Sequence, residues 1–231
     1  MKKKVIVVVG LIGSGKTTVS RELARALDAL WLSEPDEKEG RNPYLANYYE
    51  DASRWAFTLQ VHMLGMRLRQ QLHAQWHVMN DFGHAVLDSA YWQDTAFARL
   101  QIKMSLMTER EFTTYASIYQ TMTASVLLPN VCVRVLASPE VCNRRVAKRM
   151  ETETGRKCES AIDLDYLRGL EQEIDHMVST LKQMGVVTLD VPWDTDRDTP
   201  EQRQSTVTAL AHRIESIGPP DLFLDLHRRT V

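Results

Sequence analysis

A chain of 231 residues is long enough for one α/β domain with a full hydrophobic core. Hydrophobic residues at 44%, charged residues at 25% and a formal net charge of −2 are ordinary values, so composition gives no reason to expect binding to nucleic acid or to a membrane. The 3 cysteines include no CxxC pair, which favours a reduced, cytoplasmic protein over a disulfide framework. No apolar run approaches the roughly 20 residues that a membrane span needs.

The first predicted element is a buried strand at residues 5–9, all of which are β-branched. A glycine-rich turn follows, and a helix-forming run covers residues 19–27. The spacing Gly10-x4-Gly15-Lys16-Thr17 between a strand and a helix is the phosphate-binding P-loop pattern. Glycines let backbone N–H groups approach a phosphate closely, and the helix N-terminus adds a favourable dipole.

The side chains of this loop indicate what it binds. Lys16 is a mobile cation suited to β- and γ-phosphates, and the Thr17 hydroxyl is suited to Mg²⁺. The alternative is a turn that merely joins a strand to a helix, but the glycines, lysine, hydroxyl and flanking elements together favour a nucleoside triphosphate. The residues predicted to contact ATP are Gly10, Ile12, Gly13, Ser14, Gly15, Lys16, Thr17 and Thr18.

Strands and helices alternate along the rest of the chain. Further strands are predicted at residues 29–33, 84–87, 131–136 and 186–190, and helices at residues 43–76, 95–128, 139–150, 163–184 and 200–217. Gly65 interrupts the second helical pattern, and the polar stretch 151–160 is predicted to form a lid loop. The order predicts one α/β domain over residues 1–231, with a five-stranded parallel sheet flanked by helices and a C-terminal helix and tail at about 199–231.

Two carboxylates follow predicted strands. Ligands of such sheets bind at the carboxyl ends of the strands, where the P-loop, Glu34 and Asp88 all fall. Glu34 beside bound phosphates suits a general base that takes a proton from an attacking hydroxyl, although a solvated loop acid is the alternative. Asp88 occupies the position of a Walker-B-type acid, which holds the metal or its waters.

A basic run precedes the predicted lid. Arg145 and Arg149 are four residues apart, so they share one helical face and are both able to reach a triphosphate. The alternative is a charged helix that faces solvent.

The segment Arg54-Trp55-x-Phe57-Thr58-x-Gln60, together with the P-loop and Glu34-Pro35 in the same order, resembles the deoxyribonucleoside kinase family. That family includes deoxycytidine, deoxyguanosine and mitochondrial thymidine kinases, and the similarity covers roughly residues 3–192. The resemblance implies a P-loop kinase fold and phosphoryl transfer from ATP–Mg²⁺ to the 5′-hydroxyl of a deoxynucleoside. It also implies a homodimer formed through helices between about residues 61 and 128.

The resemblance implies roles on both sides of the reaction. On the donor side, Lys16 and the lid arginines Arg145 and Arg149 stabilise the phosphates, while Thr17 and Asp88 hold Mg²⁺. A small-molecule substrate, rather than nucleic acid or a membrane, is the expected partner.

On the acceptor side, Glu34 is the implied catalytic base, Tyr49 and Glu159 bind the sugar 3′-hydroxyl, and Gln60 pairs with the base edge. Arg67 and Asp94 match residues that favour cytosine or purine bases. Spacing supports one of these assignments independently, because Gln60 and Arg67 are seven residues, or nearly two helical turns, apart.

One departure from the family pattern leaves two interpretations open. The family carries Glu-Arg-Ser where this chain has Asp88-Ser89-Ala90, so an arginine near the reacting oxygen is missing. The connector after Glu34 adds Lys38 and Arg41, and a longer lid adds Arg156 and Lys157. Either one of these cations replaces the arginine, which is the favoured interpretation, or they hold the extra phosphate of a deoxynucleoside monophosphate.

Two other functional classes are weaker. A catalytically weak nucleotide-binding regulator would explain the lost arginine, but Lys16, Glu34 and Asp88 are all retained. A regulatory GTPase would need an Asn-Lys-x-Asp guanine-recognition motif, and the chain has no clear example.

Overall fold

The computed structural model describes residues 3–33, 42–152, 162–195 and 199–218. Five parallel strands form one sheet in the order β2-β3-β1-β4-β5. The strands are β1 Val5–Gly10, β2 Leu30–Leu32, β3 Ala85–Asp88, β4 Val131–Leu136 and β5 Val187–Pro192. The helices in this part of the chain are α1 Lys16–Ala26, α2 Leu45–Glu50, α3 Ala52–Met79, α4 Tyr91–Lys103, α5 Glu109–Thr123, α6 Pro139–Thr152, α7 Leu164–Gln183 and α8 Pro200–Ser216. The predicted five-stranded parallel α/β fold is confirmed.

Helices cover both faces of the sheet, so its central strands are buried on both sides. All six residues of β1 are buried. Val5, Val7 and Val9 face a core that includes side chains of α3, α4 and α7, whereas Ile6 and Val8 face one that includes α1 and α8. A strand between two apolar layers needs a continuous apolar sequence rather than an alternating one, which accounts for the β-branched run.

The order of the strands reverses at β1, in the middle of the sheet. β1 lies between β3 and β4, with Val8 opposite Asp88 and Gly10 opposite Val135. After β1 the chain forms β2 and then β3 on one side of it, and later adds β4 and β5 on the other side. Ligands of open parallel sheets bind where strand order reverses in this way, outside the carboxyl ends of the strands.

Two predicted helices are each divided in the structure, and both divisions have a local cause. The helical pattern predicted at 43–76 forms α2 and α3, because the Asp51 carboxylate accepts the Arg54 N–H at 3.1 Å and starts a new helix. α3 then runs through Gly65 without a break. The pattern predicted at 95–128 forms α4 and α5, since Thr108 and Glu111 make a capping box.

Smaller corrections concern element ends. α1 begins at Lys16 rather than residue 19, so the P-loop leads directly into the helix. β5 covers Val187–Pro192 rather than residues 186–190. Residues 151 and 152 of the predicted lid belong to α6, and the rest of that lid and the predicted tail lie outside the described residues. Among the helices that are described, none is both long enough and apolar enough to cross a membrane.

Candidate active site

The P-loop connects β1 to α1 with two glycines in left-handed backbone conformations. Gly13 has φ 81° and Gly15 has φ 100°. A Cβ atom on Gly13 would lie 2.7 Å from the Cys142 carbonyl oxygen, and one on Gly15 would lie 2.7 Å from Nε1 of Trp193. Both the conformation and the space therefore require glycine. α6 and the segment after β5 pack closely against the loop from outside.

Lys16 is the first residue of α1, and its side chain is buried. Its Nζ donates to the Leu11 carbonyl oxygen at 2.8 Å, so the ammonium group lies against the loop that precedes it. Lysine is among the residues least often buried in proteins. This placement holds a positive charge at the end of the sheet, beside the backbone N–H groups of the helix N-terminus.

Asp88 ends β3 beside the start of the P-loop. It is buried and lies opposite Val8 in the register of the sheet. Thr17, in the first turn of α1, is exposed. A carboxylate and a hydroxyl are the hard oxygen ligands that Mg²⁺ takes in addition to substrate phosphates and water, so this donor set fits the ion. The described residues contain no cluster of three or more His, Cys, Asp and Glu side chains that would suit an all-protein metal cage.

Arg145 connects α6 with the P-loop and with the segment after β5. Its guanidinium donates to the carbonyl oxygens of Trp193 at 2.8 Å, Asp194 at 3.5 Å and Ser14 at 3.4 Å. The Asp194 carboxylate accepts the Ser138 N–H at 2.7 Å, and this hydrogen bond holds the pKa of Asp194 below its usual value. Arg149 is half-buried one turn further along α6. The structure thus brings Arg145 to the P-loop, while its contact with donor phosphates stays a prediction.

α3 and α4 bring Arg67 and Asp94 together. Nη1 of Arg67 donates to Oδ1 of Asp94 at 2.7 Å, and the two side chains are 4% and 2% exposed. Gln60 is buried two turns earlier on α3, and its Oε1 accepts no hydrogen bond from another described residue. A buried ion pair gains little net stability because both charges lose their water. This small contribution to stability is consistent with a role of the pair in ligand recognition.

Two tyrosines that the sequence analysis did not single out lie beside this ion pair. Burial raises the pKa of both Tyr115 and Tyr119 of α5, and the Asp94 carboxylate adds to the effect. The Tyr115 hydroxyl has no hydrogen-bond partner among the described residues. Their spacing of four residues was the available signal, but it equally fits the apolar face of an amphipathic helix.

The remaining acceptor-side residues are only partly visible. Tyr49, at the end of α2, is half-buried and packs against the main core, with its ring 5.4 Å from that of Tyr48. Nε2 of Gln70 donates to the Ser33 carbonyl oxygen at 2.5 Å, which holds the residue before Glu34 beside α3. Glu34 and Glu159 lie outside the described residues, as do Lys38, Arg41, Arg156 and Lys157.

Comparison with known proteins identifies the family. The model of the deoxynucleoside kinase family matches residues 6–215. The chain belongs to the deoxynucleoside kinase family. It is therefore a phosphotransferase of the nucleoside kinase class, which confirms both the resemblance and the predicted reaction class.

Individual relatives agree with this assignment. Deoxyadenosine kinase of Dictyostelium discoideum is 27% identical over 93% of this chain and 83% of its own length. Deoxyguanosine kinase of the same organism is 29% identical over 83% of this chain, which spans 64% of that protein. Human mitochondrial thymidine kinase 2 is 30% identical over 73% of this chain, which spans 62% of that relative.

The solved structures show the same fold. Deoxyadenosine kinase from M. mycoides superposes with a TM-score of 0.75 at 22% identity, over 92% of this chain and 100% of that one.

Proposed function

We propose that this protein transfers the γ-phosphoryl group of ATP to the 5′-hydroxyl of a deoxynucleoside that carries cytosine or a purine. The observation that carries the proposal is the buried Arg67–Asp94 ion pair, with Gln60 buried two helical turns earlier on α3. The relatives named for deoxyadenosine, deoxyguanosine and deoxyadenosine/deoxycytidine support the acceptor class. Solved structures of deoxyadenosine kinase from M. mycoides have dCMP and dCDP, dCTP, or dATP bound.

The chemistry of the pocket favours these bases. A carboxylate accepts a hydrogen bond from an exocyclic amino group, as on cytosine or adenine, and a guanidinium donates to a ring nitrogen or carbonyl oxygen. Gln60 both donates and accepts, which suits the edge of a base. Thymine presents a carbonyl oxygen in place of the amino group of cytosine, and a carboxylate repels it.

Catalysis in this proposal is mainly positioning and charge stabilisation. Lys16 and the P-loop N–H groups stabilise the developing charge on the transferred group, and Arg145 and Arg149 reach the donor from α6. Glu34 accepts the proton of the 5′-hydroxyl, while Tyr49 and Glu159 hold the sugar. Thr17 and Asp88 would hold Mg²⁺, which would neutralise charge on the phosphates of the donor.

The position of the missing arginine does not favour a monophosphate acceptor. Ser89 is buried, and its backbone N–H donates to the Val8 carbonyl oxygen at 2.9 Å, so the residue closes the end of β3 rather than lining an open phosphate pocket. None of the relatives named above is a monophosphate kinase. The nucleoside is therefore the acceptor that we propose.

We also propose that the enzyme is a homodimer that buries an apolar stripe on the second half of α3. Leu72, Trp76 and Met79 share one face of that helix, and Trp76 is 57% exposed. The Phe82 ring lies 5.2 Å from that of Trp76 and extends the stripe.

Light scattering of the wild type should give twice the mass of one chain, and Trp76→Glu should shift the protein to the monomer. Val187→Glu, on the exposed edge strand β5, is the control, and a monomeric wild type contradicts this proposal.

The deciding experiment is a phosphoryl-transfer assay with ATP and Mg²⁺ against the four deoxynucleosides and the four deoxynucleoside monophosphates. We expect turnover of deoxycytidine, deoxyadenosine or deoxyguanosine, weak turnover of thymidine and none of the monophosphates. Turnover of monophosphates alone would overturn the proposed acceptor. Absence of turnover with every acceptor, from a protein that still binds ATP, would favour a regulator instead.

A further inference from the structure

Gln93 lies in the first turn of α4, and it is 1% exposed. Its side-chain amide makes two hydrogen bonds to a single residue of the P-loop. Nε2 donates to the Gly10 carbonyl oxygen at 3.0 Å, and Oε1 accepts the Gly10 N–H at 3.3 Å. The first glycine of the phosphate loop is therefore held at both of its backbone polar groups by one side chain.

The register of the sheet explains why Gly10 needs such a partner. Peptide groups along a strand point alternately to the two neighbouring strands. The carbonyl oxygens of Lys4 and Val8 accept the N–H groups of Ala85 and Ser89, at 3.0 and 2.9 Å. The backbone polar groups of the even-numbered residues of β1 therefore point toward β3. Gly10 is the next residue in this series, but β3 ends at Asp88.

The reason that β3 ends there is local. Ser89 has φ 69°, a left-handed conformation that few residues adopt, and it turns the chain out of the sheet and into α4. The peptide of Gly10 would then face an absent strand. Buried backbone N–H and C=O groups are almost always hydrogen-bonded, so a replacement is required. Gln93 provides it, because an amide side chain has the same donor and acceptor as a peptide.

We propose that Gln93 is a positioning residue for the donor: it replaces the missing strand and fixes the Gly10 peptide, and so sets the orientation of the P-loop that follows. It is not a catalytic residue, since it acts through the loop. The inference rests on the proposed function insofar as the loop is taken to hold the phosphates of ATP.

Gly10 has few other means of being held. A Cβ atom at this position would lie 2.7 Å from the Val135 carbonyl oxygen and 2.8 Å from Oγ of Ser14, so no side chain fits there to anchor it. Glycine also has the largest backbone freedom of any residue. Because Gly10 is the last residue of β1, rotation of its peptide displaces every N–H group of the loop that follows.

The same helical turn also reaches the acceptor pocket. Asp94, the next residue, pairs with Arg67. The start of α4 thus contacts the donor loop through Gln93 and the base pocket through Asp94. If Gln93 only filled the core, its replacement would affect donor and acceptor alike through general destabilisation. If it positions the P-loop, the effect falls on the donor.

The test compares Gln93→Met and Gln93→Glu with a matched control, Gln75→Met. Gln75 is also a buried glutamine that binds backbone, since its Oε1 accepts the Leu127 N–H at 3.1 Å, but it lies in the second half of α3. Methionine keeps the length of glutamine and removes its amide. All proteins are assayed at a temperature below the onset of their thermal unfolding. Calorimetry measures the binding of ATP and of deoxyadenosine, deoxyguanosine and deoxycytidine, and steady-state kinetics measures turnover.

We expect Gln93→Met to lower kcat/KM for ATP by roughly tenfold to a hundredfold, the range seen when reacting groups are displaced by about 1 Å. Its affinity for the deoxynucleosides should stay within about twofold of wild type, and Gln75→Met should change neither quantity beyond that. Gln93→Met with wild-type kcat/KM for ATP, or with equal losses for donor and acceptor, would overturn the proposal.

The pH dependence of Gln93→Glu tests the proposal further, because it should not change if Gln93 only fills space in the core. A carboxylate accepts the Gly10 N–H but repels the Gly10 carbonyl oxygen, whereas a protonated carboxyl donates to one and accepts from the other, as glutamine does. Burial raises the pKa of the new carboxyl. The activity of Gln93→Glu relative to wild type should therefore rise as pH falls, and that of Gln93→Met should not. A ratio for Gln93→Glu that does not change with pH counts against the proposal.

The two proposals fail in distinguishable ways. If the wild type binds ATP but phosphorylates no deoxynucleoside, the proposed function fails, and Gln93 is still tested by the affinity for ATP. A wild type that binds no ATP would overturn both.

Discussion

The P-loop and the Arg67–Asp94 pocket meet at the start of α4, but they are built differently. The P-loop is one continuous segment that offers mainly backbone N–H groups, and its shape depends on glycines that α6 and Trp193 leave no room to replace. The pocket offers side chains from three separate helices, α3, α4 and α5. The proposed donor side is thus specified by one local segment, whereas the proposed acceptor side forms only after the three helices have packed together.

This difference has a physical consequence. Phosphates are the same in every nucleotide, so a backbone loop suffices to bind them. Bases differ in their pattern of donors and acceptors, which only side chains can match. Discrimination between bases therefore depends on buried polar groups that must be paired with each other or with the ligand, and it is sensitive to single substitutions.

The largest effect should follow from breaking the ion pair of the pocket. Asp94→Ala leaves the Arg67 guanidinium buried without its carboxylate, and we expect the free energy of unfolding to fall by about 3–5 kcal/mol. The double variant Arg67→Met/Asp94→Ala removes both charges and should be more stable than the single one. Urea unfolding measures both, and Tyr119→Phe serves as the control for packing in the pocket.

The same double variant should also lose its preference for cytosine and purine bases while keeping its KM for ATP. A double variant that is less stable than Asp94→Ala would contradict the cost assigned to the unpaired buried charge. An unchanged ranking of the four deoxynucleosides would contradict a recognition role for the pair.

A change of comparable size is expected on the donor side from Lys16→Ala. Removing one preorganised charge or donor from a transition state typically lowers kcat by about 10²–10³-fold. Deoxynucleoside affinity should be retained, since Arg67, Asp94 and Gln60 are untouched. Single-turnover kinetics with ATP and calorimetry with deoxynucleosides separate the two. Loss of acceptor binding in this variant would mean that the two sides are less independent than their construction indicates.

More of the donor side than of the acceptor side could be predicted from the sequence, and the difference in how the two sides are built explains this. The positions of the five strands, the P-loop and Asp88 follow from apolar patterns and from a continuous motif, and the structure places the P-loop and Asp88 together at the end of the sheet. Arg67 and Asp94 were identified only by resemblance, because no local pattern reveals that α3 and α4 will bring them to 2.7 Å. The role of Gln93 was not visible at all, since it depends on where β3 stops and on the left-handed turn at Ser89.

Glycine substitutions should reproduce the contrast between a constrained loop and an unconstrained helix. Gly13→Ala meets both a left-handed backbone and the Cys142 carbonyl oxygen at 2.7 Å, so we expect a loss of about 1–3 kcal/mol in the free energy of unfolding, with weaker ATP binding. Gly65→Ala is the matched change within α3, where an added Cβ has no neighbour within 4 Å. It should stabilise the protein by roughly 0.5–1 kcal/mol. Equal effects of the two substitutions on stability would contradict this interpretation.

The smallest effect is expected at the amino end of the sheet, which is remote from both sides of the site. Nδ1 of the buried His84 accepts the Lys4 N–H at 3.1 Å. Burial, followed by the positive charges of Lys4 and Lys3, lowers the pKa of His84, while Glu215 acts in the opposite direction.

Because the folded protein thus binds this proton less readily than the unfolded chain, the stability that neutral His84 contributes is present above about pH 6.5 and is lost as pH falls below it. Urea unfolding at pH 7.5 and 5.5 should show a larger loss for the wild type than for His84→Gln. KM for ATP and for the deoxynucleoside at pH 7.5 should be the same in both proteins, since neither the P-loop nor the pocket contacts this end of the sheet through a described hydrogen bond. An equal loss of stability in the two proteins would show that His84 is not the group that titrates.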